Sequence, residues 1–149
     1  MEEDIKQEKF KSEHNKMIVN LMFTNNWVVA KEMELLRPYG LTVSQYNVLR
    51  ILRGQKGKAA TINLIINRML DRMSNASRIV DRLEHKGLVT RKPCEHDRRA
   101  VDVLITEKGM KLLSVLDKKM DKWEKTFEVI SPEEAQVLNA LLDKIRTAQ

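Results

Sequence analysis

The spacing of apolar residues changes its period along this chain, and that change limits the folds the chain can adopt. Over residues 1–87 the apolar positions recur every three or four residues, which is the spacing of amphipathic helices. Over residues 88–105 they alternate instead, as at Val101, Val103 and Ile105. Beyond this stretch the helical spacing returns in two further helices, for which Thr106 and Ser131 are the expected caps. The sequence therefore predicts a mainly α fold with one small β-hairpin.

Residues that cap or break helices divide the first half of the chain. A first long helix is expected over about 5–37, because its apolar stripe runs up to a breaker at residues 38–40, Pro-Tyr-Gly. Thr42 and Gln45 have the spacing of a capping box, in which both side chains satisfy free N–H groups of a new helix. A short helix is then expected over about 61–70. The first half is thus predicted to hold three helices.

The next expected helix has two different faces. Ser74 is a residue type that begins helices, and Gly87 is a type that follows their ends. The helix is preceded by a tight break and followed directly by the hairpin, which is the order of elements in a winged helix-turn-helix. Its apolar positions fall on one predicted buried face: Ala76, Ile79, Val80 and Leu83.

The opposite face of this helix is polar and basic. Arg and Asn make bidentate hydrogen bonds to guanine and adenine edges in the major groove, and Ser hydroxyls contact phosphates. The candidate DNA-binding residues here are Ser74, Asn75, Ser77, Arg78 and Arg82. A solvated polar helix face has the same composition, so this helix alone leaves both interpretations open.

The loop of the hairpin adds a second basic element. Arg98 and Arg99 are adjacent near its tip, and Lys92 precedes the loop on the first strand. A narrow minor groove concentrates negative potential and attracts an inserted Arg. Asp97 has the wrong charge for a DNA contact, and we expect it to brace Arg99 through an ion pair. A surface turn with an incidental ion pair is the alternative interpretation.

The positive charge of the chain is concentrated in the same region. The net charge is +6, yet residues 50–100 hold 13 Lys and Arg against 5 Asp and Glu. Residues 1–49 hold 6 against 7, and residues 101–149 hold 8 against 9. A basic module between nearly neutral flanks is typical of proteins that bind a polyanion, although a basic solvated face would give the same totals.

Three motifs in this order resemble the MarR (multiple-antibiotic-resistance regulator) family. They are Leu83-Glu84-His85-Lys86-Gly87-Leu88-Val89, Asp97-Arg98-Arg99-Ala100 and Leu104-Ile105-Thr106-Glu107-Lys108-Gly109. The resemblance covers essentially the whole chain, 1–149. It implies a winged helix-turn-helix unit over 41–105 with dimerisation helices over 1–40 and 106–149. The segment 67–73 is bulkier and more basic than the usual family pattern.

The resemblance also implies a function. It suggests a homodimeric regulator that binds a pseudo-palindromic operator in double-stranded DNA, and specifically a repressor that responds to a ligand or to stress. A small aromatic effector is expected near Phe23, Trp27 and Tyr46, although such residues also fill ordinary cores. No catalytic set can be assembled, so no enzyme activity is expected. No cofactor is expected either, and no metal, because Cys94 and the nearby histidines do not form a tetrahedral set.

Cys94 is the single cysteine of the chain. It excludes an intramolecular disulfide and suits a reducing cytoplasm. Lys92, His96 and Arg98 would favour its thiolate, which makes Cys94 a candidate redox site, with a thiol of no special role as the alternative. The first residues are acidic, and no apolar run approaches the roughly 20 residues of a membrane span. A cytoplasmic protein without signal or anchor is expected.

Overall fold

The computed structural model describes residues 1–7, 9–71, 73–93 and 101–147, which form mostly helices and one small sheet. The described residues group into two compact units, Met1–Met110 and Lys111–Gln149. The helices are α1 (Glu2–Ile5), α2 (Glu13–Leu36), α3 (Val43–Gly54), α4 (Ile62–Arg68), α5 (Ala76–His85), α6 (Glu107–Glu124) and α7 (Pro132–Thr147). The strands are β1 (Ala60–Thr61), β2 (Val89–Pro93) and β3 (Val101–Ile105). The predicted fold class is confirmed.

The long helix expected over 5–37 begins later than predicted. Ser12 caps α2, because its Oγ accepts a hydrogen bond from the backbone N–H of Asn15 at 3.1 Å. The short α1 ends separately at Lys6, which has a left-handed φ of 52°. The apolar stripe indicated a helix but not its first residue, which the Ser12 cap determines. The other end was predicted correctly, since α2 stops at Leu36, before the breaker.

The capping box at the start of α3 is confirmed. The backbone N–H of Gln45 donates to Thr42 Oγ1 at 3.2 Å, and the backbone N–H of Thr42 donates to Gln45 Oε1 at 3.3 Å. Thr61 caps α4 in the same way, through Leu64 N–H. The two caps fix the first residues of α3 and α4. These two helices pack on each other and on α5.

The sheet contains one more strand than the predicted hairpin. β3 lies between β1 and β2, and both pairings are antiparallel. The predicted hairpin is present, with Val89 opposite Ile105. β1 pairs through Ala60 opposite Val103. Two residues are too few for alternation to be visible, so the sequence pattern could not indicate β1.

The core of the Met1–Met110 unit lies where α3, α4, α5 and the sheet meet. Its fully buried large side chains come from each of these elements and from the end of α2: Leu36, Val48, Leu49, Leu52, Ile65, Val80, Leu83, Val89 and Val103. Burying one such side chain contributes about 1.5–3 kcal/mol. The winged part of the chain therefore has a core of its own.

The Lys111–Gln149 unit contains most of α6 and all of α7. Leu113 and Leu116 on α6 are buried. The predicted cap of α7 is confirmed, because the backbone N–H of Glu134 donates to Ser131 Oγ at 3.2 Å and Ser131 N–H donates to Glu134 Oε2 at 2.7 Å. No residue of α7 is buried. Across the described ranges, no helix has the length and apolar character needed to cross a membrane.

Candidate nucleic-acid interface

Asn75, and not Ser74, caps the helix that was predicted to read DNA. Asn75 Oδ1 accepts from the backbone N–H of Arg78 at 3.0 Å, and α5 begins at Ala76. Both residue types cap helices well, so the pattern could not distinguish them. The capping bond occupies one of the two Asn75 atoms that a bidentate adenine contact would need. The predicted cap at Ser74 was therefore wrong.

Ser74 belongs to the turn before α5. Its hydroxyl donates to the Asp71 carboxylate, which also accepts from the backbone N–H of Met73 at 3.0 Å. The Ser74 hydrogen bond, and after it the Met73 one, lowers the pKa of Asp71. At the other side of the turn, Leu70 N–H donates to Asn47 Oδ1 of α3 at 3.2 Å. The turn is therefore held by hydrogen bonds between its own residues and by one hydrogen bond to α3.

The two faces of α5 are as predicted. Ala76, Val80 and Leu83 are buried, and Ile79 is half-buried. The opposite side carries the exposed residues Ser77, Arg78, Arg82 and His85. Within the described part of the chain, neither the Arg78 nor the Arg82 guanidinium has a hydrogen-bond or ion-pair partner. Two arginines on a fixed helix are therefore available to an external anion or base edge.

Arg91 of β2 joins the first wing strand to α5. Its Nη2 lies 2.6 Å from Asp81 Oδ1, its Nε lies 2.8 Å from Glu84 Oε2, and its backbone N–H donates to Glu84 Oε1. These bonds, with that to Glu84 first, raise the pKa of Arg91. Arg91 was not among the predicted contacts, whereas its neighbour Lys92 was, and Lys92 is exposed. The available signal was the i, i+3 spacing of Asp81 and Glu84 on a helix followed at once by a strand.

The junction between α5, β2 and α6 requires glycine at two positions, Gly87 and Gly109, which belong to the first and third of the three sequence motifs. Gly87 has a φ of 69°, the left-handed conformation expected just after a helix end. Gly109 allows a close approach, since a Cβ there would lie 2.4 Å from the Leu88 carbonyl oxygen. The predicted cap at Thr106 is confirmed, with Gly109 N–H donating to its Oγ1 at 3.1 Å. The Thr106 hydroxyl also donates to Gly87 O at 2.8 Å.

Lys86 connects the end of α5 to the start of α3. Its Nζ donates to Gln45 Oε1 at 2.9 Å and also to the carbonyl oxygen of Gly40. Gln45 is 3% exposed, and its buried amide oxygen accepts from this lysine and, in the capping box, from Thr42 N–H. A rotation of α5 would break these bonds, which hold α5 to the preceding elements.

The wing tip lies outside the described residues. This concerns the candidate contacts Arg98 and Arg99, their brace Asp97 and the candidate redox residue Cys94. All four remain predictions. Of the wing candidates, only Lys92 is described, at an exposed position on β2.

The expected effector residues lie on two helices that pack on each other, α2 and α3. Tyr46 is buried and has the Arg50 guanidinium 5.7 Å from its ring centre, while Phe23 is half-buried and Trp27 is 46% exposed. Burial also raises the pKa of Glu32 on α2, against the effect of Arg50. A cavity of about 720 Å³ lies elsewhere, beside Phe127, Ile130 and Pro132. The effector site therefore stays a prediction.

Comparison with known proteins gives one family. Residues 39–100 match the profile of the MarR family. The HTH-type transcriptional regulator PecS of Dickeya dadantii (strain 3937) is 29% identical over 109 residues, which cover 72% of this chain and 66% of PecS. The uncharacterized HTH-type transcriptional regulator YfiV of Bacillus subtilis (strain 168) is 33% identical over 99 residues, 66% of this chain and 61% of YfiV. The chain spans just under two thirds of the length of these two relatives.

The likeness in structure extends beyond the matched region. The crystal structure of a MarR transcription factor from Planctomyces limnophilus has a TM-score of 0.69 and 29% identity to this chain. The superposition covers 91% of this chain and 98% of that one. The superposed part therefore extends well beyond residues 39–100.

Proposed function

We propose that the chain is a winged helix-turn-helix protein of the MarR family and acts as a sequence-specific DNA-binding transcription regulator. The observation that carries the proposal is the division of α5. One face is buried in the core, and the other presents Arg78 and Arg82 with no partner in the described residues. In a helix-turn-helix, the second helix enters the major groove and its first residues meet the base edges. Arg78 is the third residue of that helix.

The wing completes the proposed interface. Arg91 fixes β2 against α5 through Asp81 and Glu84. We propose that Arg99, braced by Asp97, enters the flanking minor groove, and that Arg98 and Lys92 contact phosphates. Ser77, exposed on the first turn of α5, suits a phosphate contact that sets the register.

The open apolar faces support a homodimer as the active form. Val137, Leu138, Leu141 and Ile145 on α7 are between 41% and 61% exposed. On α2, Met17, Ile18, Leu21 and Met22 are between 40% and 63% exposed. Apolar stripes of this length are normally covered in a folded protein. Two copies would place two α5 helices on half-sites about 10 base pairs apart.

The remaining parts of the proposal concern regulation. We propose a cytoplasmic repressor without enzyme activity, released from its operator by a small aromatic ligand bound near Phe23, Trp27 and Tyr46. Such a ligand would favour a dimer whose half-site separation no longer fits the operator. A competition assay with a panel of aromatic acids tests this part. If no acid changes DNA binding, oxidation at Cys94 becomes the alternative, and Cys94→Ser would then abolish a response to peroxide.

Selection from a pool of randomised duplex DNA tests the main proposal. We expect the full chain to enrich a pseudo-palindrome, with an affinity that falls steeply as salt rises because bound Lys and Arg displace counterions. A duplex of the same composition in scrambled order is the control. Equal binding of both duplexes, or binding that salt does not change, would contradict the proposal and favour a helical interaction protein.

A further inference from the structure

Two large apolar side chains stand in solvent on the turn between α4 and α5. Leu70 is 88% exposed and Met73 is 95% exposed. Single apolar residues on a surface are ordinary. Here, however, two lie within four positions, immediately after Met69, which is 4% exposed and fills the core. The turn thus buries one large apolar side chain and displays the next two.

Hydrogen bonds keep this display in place. Leu70 N–H is held by Asn47 Oδ1 of α3, and Met73 N–H is held by Asp71 Oδ1, whose other oxygen accepts from Ser74. The backbone N–H groups of Leu70 and Met73 are therefore both hydrogen-bonded, to Asn47 and Asp71 respectively.

The turn lies beside the proposed reading face. Met73 is two residues before Asn75, the cap of α5, and five before Arg78. The first residues of the second helix meet base edges in a helix-turn-helix, so a side chain just ahead of them reaches the same groove. The apolar group that the major groove offers is the C5-methyl of thymine. Asp71 is ionised at neutral pH, which disfavours a phosphate at the turn.

We infer that Leu70 and Met73 contact thymine methyl groups in the major groove and give the operator a thymine preference beside the base read by Arg78. The inference rests on the proposed function. The surroundings favour DNA over a second copy of the chain, because Arg68 on α4 and Arg78 on α5 are both exposed next to the turn. Two such basic surfaces would repel each other, whereas DNA complements them.

Deletion of single methyl groups tests the inference. In the operator enriched by selection, each thymine is replaced in turn by deoxyuridine, which lacks only the C5-methyl. We expect one or two positions per half-site at which the full-length wild-type chain binds about fourfold more weakly. At those positions Met73→Ala or Leu70→Ala should bind the two DNAs equally. Met73→Leu, which keeps an apolar side chain, should retain the discrimination.

A matched control separates this effect from a general loss of apolar surface. Val129 is as exposed as Leu70 but lies in the Lys111–Gln149 unit, and Val129→Ala should keep the wild-type response to deoxyuridine. If wild type enriches no operator, the proposed function itself fails. If wild type binds an operator and no methyl deletion is coupled to Leu70 or Met73, the inference is wrong. Variants that instead lose self-association in sedimentation would overturn it in favour of a second copy.

Discussion

α5 and α7 are both amphipathic helices, but α5 buries its apolar face and α7 leaves its apolar face exposed to solvent. α5 buries Ala76, Val80 and Leu83 in the core of the Met1–Met110 unit and turns its charged residues outward. α7 buries none of its residues, and Leu138 and Leu141 are 48% and 53% exposed. The exposed side of α5 is polar and suits a ligand that is itself charged. The exposed side of α7 is apolar and suits a surface like its own.

The difference separates two requirements that a DNA-binding dimer must meet. The reading unit needs a rigid core so that its arginines stay in register, and the buried side chains around Leu49, Leu83 and Val103 provide it. The dimer needs a surface that remains open in the single chain. Leu138 and Leu141 on α7 offer such a surface, since about half of each side chain stays in water.

The largest effect is expected from a charge on the apolar face of α7. Leu141→Asp would place a carboxylate where the second copy is proposed to pack. We expect a monomer in sedimentation velocity and a loss of operator affinity of about a hundredfold or more, because binding to two half-sites becomes binding to one. Asn139→Asp, on an exposed position of the same helix, is the control and should stay dimeric. A Leu141→Asp variant that stays dimeric would contradict the proposal that a second copy packs on the apolar face of α7.

A second prediction concerns the junction below the reading helix. Gly109→Ala would push a methyl group into the Leu88 carbonyl and Ile105, which a Cβ would approach to 2.4 and 2.8 Å. We expect a loss of about 2–3 kcal/mol in the free energy of unfolding by urea. Gly54→Ala is the matched control, since nothing lies within 4 Å of a Cβ there. This control should gain about 0.5–1 kcal/mol. Equal changes in the free energy of unfolding for the two variants would contradict the close approach of Gly109 to the Leu88 carbonyl oxygen.

Arg91 allows a test of how the wing is joined to α5. Arg91→Ala should weaken operator binding about fivefold, because Asp81 and Glu84 lose their counter-charge beside DNA. Adding Asp81→Asn and Glu84→Gln to that variant should restore most of the affinity. Fluorescence anisotropy over a salt series gives the readout. An unrescued loss, with a salt slope reduced by about one, would mean that Arg91 itself contacts a phosphate.

The smallest effect is expected from pH at the turn before α5. The pKa of Asp71 is lower in the folded chain, so its bonds to Ser74 and Met73 stabilise the fold above the unfolded pKa of about 3.9. That stabilisation is lost as pH falls through the lower, folded value. The urea midpoints of wild type and Asp71→Ala should therefore differ at pH 7, begin to approach each other below about pH 4, and converge only below the folded pKa of Asp71. A difference that stays constant with pH would show that the carboxylate charge is not responsible.

Much of this fold could be predicted from local signals. Thr42, Thr106 and Ser131 cap helices as expected, because a cap depends on residues three positions apart. Non-local features were not accessible in the same way. β1 is recognisable only through its pairing with β3, and the cap of α5 was misplaced by one residue because Ser74 is captured by Asp71.

The candidate site shows the same limit. The exposed arginines of α5 follow from helical periodicity, since burial of Val80 and Leu83 directs Arg78 and Arg82 outward. Arg91 was missed because its partners lie seven and ten positions earlier, on another element. The position of Leu70 was missed for a similar reason, since its backbone N–H is bound by Asn47 of α3.

The most direct test of the account is the base preference of Arg78→Ala. Wild type and variant are compared over an operator library with every position randomised, and Arg82→Ala serves as the neighbouring control. We predict that Arg78→Ala costs about 1–3 kcal/mol on the preferred operator and loses discrimination at one position of each half-site, with the other positions unchanged. A uniform loss of affinity on all sequences would contradict the claim that the exposed face of α5 reads bases.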